Sequence, residues 1–154
     1  MTDPFNPVDD EARALARRLM AGARHGALAT LRDGQPFVTR VALAASGADM
    51  LTLVSDLAPH TRALRNHPQA SLLIGEPGKG DPLAHPRMTL AVSAVFLDKT
   101  SEATKDYLAA QPKAQLYIGF ADFHLVRLAT ENAHLNGGFG KAYRLERGDL
   151  AASV

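Results

Sequence analysis

The stretch "ALATLRDGQPFVTRVALAASGADMLTLVS", from Ala27 to Ser55, decides the fold class of this chain. Asp33-Gly34 is a strong hairpin signal, because both residues tolerate the positive φ that a tight turn requires. From Phe37 onward the side chains alternate with the period of a β-strand, which sets Arg40 on the face opposite Phe37. A second turn at residues 46–49 precedes "MLTLVS". The stretch therefore predicts three consecutive antiparallel strands, a meander.

Helices and further strands surround this stretch. The segments "PVDDEARALARRLMAGARHG", "APHTRALRNHP" and "TSEATKDYLAAQP" predict three helices; Asp9 or Asp10 caps the first, Pro68 ends the second, and Thr100 or Ser101 caps the third. Four more strands are predicted at "QASLLIGE", "RMTLAVSAVFL", "FHLVRLATENAHLN" and "KAYRLERGDL", with an exposed loop at "PGKGDPLAHP". Parallel βαβ alternation would place a helix after every strand. The order instead favours a mainly β, α+β fold: a small antiparallel barrel with peripheral helices.

Composition excludes several classes of protein. A chain of 154 residues with 46% hydrophobic and 21% charged residues is typical of one globular domain. Lys and Arg number 17 against 16 Asp and Glu, so no broad nucleic-acid-binding surface is expected. The absence of cysteine excludes disulfides, cysteine-ligated metals and thiol nucleophiles. Without a secretory signal, or an apolar run of about 18 residues, we expect a cytoplasmic protein that does not enter a membrane.

Familiar catalytic and metal-binding motifs are missing. The six histidines have no spacing that would place a metal site on one predicted element. There is no GxSxG elbow, and "EPGKG" lacks the Lys-Ser/Thr ending of a P-loop. The sequence therefore predicts no metal site and names no hydrolase or ATP-binding motif.

Two positions suit an anion. In "VSDLAPHTRALRNHP" a strand ends at Ser55, and His60, Thr61 and Arg62 begin a helix, whose free N–H groups favour negative charge. The alternative is that Ser55 or Thr61 caps this helix and Arg62 is solvated. Arg40 lies in the middle of a strand and reaches a partner, a ligand or solvent. Spacing alone leaves these alternatives open.

The stretch "HLNGGFGKAYRL" sets three glycines around Phe139 and one lysine directly after them. Such a turn suits either a phosphate or a bend in a strand. The pattern is not GxGxxG, and no parallel βαβ unit surrounds it, which excludes a dinucleotide fold. We interpret it as a β-bend that brings the backbone close to a neighbour.

Three stretches together resemble the pyridoxamine 5′-phosphate oxidase-like, FMN-binding split-barrel proteins, and most of all their haem-utilisation-type branch: "DGQPFVTRVAL", "SDLAPHTRALRNHPQASLLIGEPGKGDPLAHPRMTL" and "HLNGGFGKAYRL". The similarity covers about Ala27 to Leu150. It implies a single split-barrel domain over 1–154, with an N-terminal helix in 1–25 and the barrel in 26–150. It also implies a homodimer that holds FMN in two clefts between its subunits.

The resemblance further implies a set of cofactor-binding residues. These lie on the strand under the flavin, at a strand end, in the phosphate turn and near the C-terminus: Thr39, Arg40 and Val41; Val54 and Ser55; His60, Thr61 and Arg62; Asn136, Gly138 and Lys141.

Departures from the family limit the expected activity. Pro59 and His60 occupy the places of an Arg-Lys pair in the vitamin oxidases, and the C-terminal Trp and Arg motif of those enzymes is absent. The resemblance therefore implies an FMN-dependent oxidoreductase on an unknown small molecule, with Arg40 and Lys141 placing positive charge near the flavin and no catalytic residue assigned. Two alternatives remain: a flavin-free dimeric scaffold, and a binder of haem or another tetrapyrrole. The candidate haem ligands are His60, His124 and His134.

Overall fold

The computed structural model describes residues 3–151, so the ends of the predicted domain, residues 1–2 and 152–154, lie outside it. The described part holds eight strands, four α-helices and two short 3₁₀ helices at Pro82–Ala84 and Pro112–Leu116. The α-helices are α1 Asp10–Gly22, α2 Pro59–Asn66, α3 Glu102–Ala110 and α4 Arg147–Leu150. The strands are β1 His25–Arg32, β2 Gln35–Ala42, β3 Ala44–Ser46, β4 Asp49–Ser55, β5 Gln69–Ile74, β6 Arg87–Leu97, β7 Phe123–Asn136 and β8 Ala142–Glu146.

One antiparallel sheet forms the body of the fold. Its strand order is β2-β1-β5-β6-β7-β4-β3, and β8 pairs with the second half of β7. The sheet curls until β2 approaches β4, where the Thr52 hydroxyl donates a hydrogen bond to the Ala42 carbonyl at 2.7 Å. A mainly β, antiparallel split barrel with peripheral helices is therefore confirmed.

Both hairpin turns of the predicted meander are present, but its middle strand is divided into β2 and β3. β1 and β2 form one hairpin and β3 and β4 another, but β4 takes β7 as its other neighbour. The pairing with β1 ends and the pairing with β4 begins at Leu43, whose N–H donates a hydrogen bond to the Arg24 carbonyl at 2.9 Å. The Leu43 carbonyl accepts a hydrogen bond from Gln111 Nε2 at 2.9 Å. The alternation of side chains predicts which face of a strand is buried, but it does not indicate which strand lies beside it. The change of partner at Leu43 could therefore not be predicted from this pattern.

The last predicted strand also ends early. "KAYRLERGDL" was expected to be a strand throughout, whereas β8 stops at Glu146 and α4 follows. Glu146 and Asp149 cap this helix reciprocally, and the Glu146 N–H donates to Asp149 Oδ2 at 2.8 Å. Asp149 also accepts a hydrogen bond from Arg13 Nε of α1 at 2.8 Å. These contacts across the chain stop the strand.

Helix α1 begins as predicted, with the Asp9 side chain accepting a hydrogen bond from the Ala12 N–H at 2.8 Å. Its stripe of Ala12, Ala16 and Met20 is buried against the main core, which fills the inside of the barrel with the inward side chains of the strands. A smaller core surrounds Tyr107 of α3. None of the helices in residues 3–151 is long and apolar enough to cross a membrane.

Candidate functional site

The predicted cofactor-binding residues lie in three groups. One is on β2, one is at the junction of β4 and α2, and one is at the turn between β7 and β8: Thr39, Arg40 and Val41; Val54, Ser55, His60, Thr61 and Arg62; Asn136, Gly138 and Lys141.

Arg40 points outward from β2, as the alternation predicts. Val41 is buried in the core, whereas Arg40 is exposed and pairs with Ala27 of β1. Directly paired residues of neighbouring strands share one face of a sheet. The pairs therefore define one row across the outer face, which we call the outer row: Arg40, Ala27, Leu73, Thr89, His134 and Arg144. With neighbouring strands about 4.8 Å apart, the row is about 24 Å long.

Two grooves lie along the outer row. The first, of about 820 Å³, lies between the end of α1 and strands β1, β2 and β5. We call it the arginine groove, because Arg18, Arg24 and Arg40 line it. The only carboxylate in its lining, that of Glu76, is paired with His25. The groove therefore offers positive charge to an anion.

The second groove, of about 470 Å³, lies over β5, β6 and β7. We call it the histidine groove, because His85 and His134 line it together with Phe5, Arg87 and Asn136. The two grooves share Leu73, Gly75 and Pro77. They are therefore two ends of one trough on the outer face.

The second group of residues builds a turn that we call the phosphate turn, residues 55–62. Val54 is buried in the core, and the buried Thr61 hydroxyl donates a hydrogen bond to the Ser55 carbonyl at 2.5 Å. The Ser55 hydroxyl accepts a hydrogen bond from the Leu57 N–H at 3.1 Å. Because Ala58 is the N-cap of α2 and no side chain caps the helix, the alternative in which Ser55 or Thr61 caps it is wrong. Thr61 and Ser55 shape the turn with their side chains.

The start of α2 is electrostatically open. Its first turn holds no acidic residue, and the nearby Asp56 carboxylate is held by His124 Nε2 at 2.7 Å. Arg62 is exposed beside it. His60 is half-buried, and burial lowers the pKa of its imidazole, so that this side chain is neutral at pH 7. The positive end of the helix dipole and Arg62 can therefore meet an anion.

The third group forms the bend between β7 and β8. The Gly138 N–H donates to Asn136 Oδ1 at 3.0 Å, and the Lys141 N–H donates to the Gly138 carbonyl at 3.1 Å. Gly138 has φ +122°, and a Cβ placed there would lie 3.4 Å from the Ala84 carbonyl oxygen. The predicted β-bend is confirmed, and within the chain its neighbour is the loop between β5 and β6. The Lys141 side chain is exposed.

The three candidate haem ligands differ in their surroundings. His60 is half-buried in the phosphate turn, His124 is paired with Asp56, and the exposed His134 has its ring 5.1 Å from that of Phe5. Within residues 3–151 no three His, Cys, Asp or Glu side chains form a cluster that could hold a metal ion.

Sequence reasoning missed Phe5, Asp56 and Arg87. Phe5 reaches the histidine groove because the Asn6 N–H donates to the Ala142 carbonyl at 2.7 Å. This contact joins distant parts of the chain, so no local sequence pattern predicts it. Asp56 and Arg87 lie inside the stretches that carry the family resemblance. Asp56 directly follows β4 and Arg87 begins β6, and these positions at strand ends could have indicated that both residues lie near a site.

Comparisons with known proteins agree with this fold. The family described as pyridoxamine 5′-phosphate oxidase matches residues 9–137. The chloroplastic non-canonical haem oxygenase HOZ of Arabidopsis thaliana is 33% identical over 147 residues, which are 90% of this chain and 43% of that protein. A haem-binding protein from Mycobacterium smegmatis is 31% identical with a TM-score of 0.84, over 95% of this chain and 61% of that one. This chain thus spans less than two thirds of either relative.

A more distant likeness concerns the fold alone. The haem storage protein HutZ of Vibrio cholerae is 23% identical and has a TM-score of 0.64, over 81% of this chain and 92% of that one.

Proposed function

Because the chain belongs to the pyridoxamine 5′-phosphate oxidase-like family, in its haem-utilisation-type branch, we propose that it is an FMN-binding homodimer and a flavin-dependent oxidoreductase on a small molecule. We propose further that residues 1–154 form one domain. When bound, FMN supplies the electron transfer, while the protein binds and orients it. No residue is assigned a catalytic role.

The uncapped start of α2 is the observation that carries this proposal. It combines the backbone N–H of His60, the positive end of a helix dipole and the exposed Arg62, whose guanidinium matches phosphate oxygens. The Asp56 carboxylate beside the turn is engaged by His124 Nε2 at 2.7 Å, which fixes its position. The turn thus fits the phosphate of a flavin mononucleotide.

The seam between β2 and β4 links this turn to the arginine groove. Ala44 of β3 pairs with Leu51 of β4, and β2, which carries Arg40, directly precedes β3 in the chain. The hydrogen bond between Thr52 and Ala42 marks the same approach of the two strands. A flavin with its phosphate at the turn would therefore meet the positive charge of Arg40.

The outer face of the sheet supports a second copy as the partner. Next to the outer row runs a row of small side chains, formed by Ala29, Ser71 and Ala91, with Val38 at its β2 end. Val38 is 62% exposed and Leu73 is 45% exposed. Exposed small and apolar side chains on one face of a sheet suit association with a second copy of that face. In such a dimer Asn136, Gly138 and Lys141 would approach the flavin from the partner.

A titration with FMN and with riboflavin, which lacks the phosphate, tests this proposal. Arg62→Gln should weaken FMN binding about tenfold or more, because a hydrogen bond to a charged group contributes about 1.5–3 kcal/mol. Riboflavin binding should not change. Arg65→Gln is the matched control, since Arg65 lies on the same helix with its guanidinium 4.1 Å from the Phe96 ring. Protein that leaves flavin fluorescence unchanged, or equal losses for FMN and riboflavin, would reject the proposal.

The pH dependence of FMN affinity tests His60. A bound phosphate would raise the pKa of this imidazole, which burial lowers in the free protein. FMN affinity should then fall as the pH rises from below the pKa of the free imidazole to above that of the phosphate-bound one, and His60→Gln should flatten the profile. If the two proteins show the same profile, His60 does not contact the phosphate.

Haem or another tetrapyrrole is the second candidate ligand. The names of the Arabidopsis and Mycobacterium relatives favour it, and His134 is exposed in the histidine groove. Added haemin should then give a Soret band that His134→Ala removes and His67→Ala, at an exposed histidine after α2, retains. A dimer that binds neither FMN nor haemin would instead support the flavin-free scaffold.

A further inference from the structure

We propose that the histidine groove binds a small aromatic carboxylate of one or two rings. The groove is preformed within one chain, combines an aromatic wall with a fixed cation, and contains no acidic residue in its lining. That such a molecule is also the substrate of the flavin rests on the function proposed above.

The N-terminal segment supplies the aromatic wall. The Asn6 N–H donates to the Ala142 carbonyl at 2.7 Å, and Asn6 Nδ2 donates to the Gly140 carbonyl at 2.8 Å. These bonds fasten the segment along β8 and bring Phe5 over the outer face. The Phe5 ring lies 5.1 Å from the His134 ring, and the Arg144 guanidinium lies 4.4 Å from its centre. Phe5 is therefore held in place for contact with a second ring.

The loop between β5 and β6 forms the opposite wall, and its own contacts brace it. Arg87 Nη1 donates to the Leu83 carbonyl at 2.7 Å, and the Leu83 N–H donates to Asp81 Oδ1 at 2.9 Å. His85 Nε2 lies 2.7 Å from the Lys79 carbonyl. A wall fixed before binding loses little conformational entropy when a ligand arrives.

The charge of the lining selects an anion. Arg87 uses Nη1 on the loop carbonyls, and in residues 3–151 no carboxylate forms an ion pair with it. Thr89 and Asn136 add hydrogen-bond donors to the same groove. Apolar contacts come from Leu73, Leu83, Leu135, Pro77 and Pro82. A carboxylate directed to Arg87, with its ring against Phe5, satisfies both parts of the lining.

The size and position of the groove narrow the ligand further. A volume of about 470 Å³ lies at the lower end of the range for small-molecule sites, which favours one or two rings. Leu73, Gly75 and Pro77 belong to both grooves, so a ligand here would lie beside whatever occupies the arginine groove. A flavin in that groove would then have an aromatic anion at its edge.

Calorimetry on flavin-free protein tests the groove itself, with 2-naphthoate and its neutral amide as probes. The carboxylate should bind, and the amide should bind at least tenfold more weakly, because only the carboxylate pairs with Arg87. Phe5→Ala should weaken 2-naphthoate at least fivefold, whereas Phe139→Ala, at an exposed ring on the adjacent turn and outside the lining, should not. Unchanged thermal unfolding of both variants confirms that they fold. Equal affinity for acid and amide, or no effect of Phe5→Ala, overturns the proposal.

The flavin-loaded protein separates the two proposals. Binding of 2-naphthoate beside a flavin should shift the flavin absorption bands. If FMN does not bind while 2-naphthoate still binds and depends on Phe5, the proposed function fails and the groove stands. If FMN binds and 2-naphthoate does not, the groove inference fails alone. Haemin binding without naphthoate binding also refutes it.

Discussion

Replacement of Asp49 by alanine tests the structure most directly. This carboxylate begins β4 with its side chain only 7% exposed. It accepts a hydrogen bond from the Thr130 N–H at 2.9 Å and is paired with Arg147, whose Nη2 lies 3.2 Å from Oδ2. Arg127 Nη1 is 3.5 Å from the same oxygen. Asp49 therefore joins β4, β7 and α4.

The size of the effect follows from these partners. Burial opposes the ionisation of Asp49, but the hydrogen bonds from Arg147 and Thr130 and the nearby charges outweigh it and lower the pKa of the carboxyl. Without the carboxylate the buried Thr130 N–H is unsatisfied, which costs about 1–3 kcal/mol. The two arginines lose their counter-charge, although water reaches the 51% exposed Arg147 and limits that loss. We expect Asp49→Ala to cost about 2–4 kcal/mol in total.

Urea unfolding measures this change in the free energy of unfolding. Glu131→Gln is the control, because Glu131 follows Thr130 directly and its carboxylate is exposed. A lowered pKa makes the contribution of Asp49 present above about pH 4 and lost as the pH falls through the folded pKa. The difference between wild type and Asp49→Ala should therefore shrink below about pH 4. A loss under about 1 kcal/mol at neutral pH would refute the reasoning.

Three other substitutions give separate tests. Since burial lowers the pKa of His60, unfolding stability should fall as the pH drops below about 6.5, and His60→Gln should reduce that slope in urea titrations. Gly138→Ala should cost about 1–3 kcal/mol at φ +122°, whereas Gly148→Ala, with open space around it, should not destabilise; thermal unfolding compares them. His124→Ala should weaken FMN about two- to fivefold by releasing the Asp56 charge beside α2, and adding Asp56→Asn should restore the fluorescence titration.

Local signals predicted most elements of the fold. Asp33-Gly34 forms the hairpin turn with both φ values positive, Asp9 caps α1, and Arg40 lies opposite the buried Val41. These features depend on backbone preference and on side-chain period, which are properties of short stretches. The pairing of β4 with β7 joins residues far apart in the chain, so no such stretch encodes it.

The candidate site was predictable to a smaller extent. The resemblance indicated residues of the phosphate turn, and the uncapped start of α2 supports their choice. The resemblance did not distinguish the structural role of Thr61, whose hydroxyl donates to the Ser55 carbonyl, from that of Arg62, whose side chain is exposed. Nor did it indicate Phe5 or Arg87, because the histidine groove exists only once the N-terminal segment lies along β8. Side-chain roles of this kind depend on which hydrogen bonds the fold has already used.

The change of strand partner at Leu43 links the register of one hairpin to the register of the next. Before this residue β2 pairs with β1, and after it β3 pairs with β4. One continuous segment therefore belongs to two hairpins. A strand shifted by one residue turns every side chain to its other face. One inserted residue beside Leu43 would thus force a choice between Arg40 outside and Leu51 inside, because both positions cannot be kept. The number of residues between β2 and β3, more than the side chain of Leu43, therefore determines whether Arg40 faces the arginine groove.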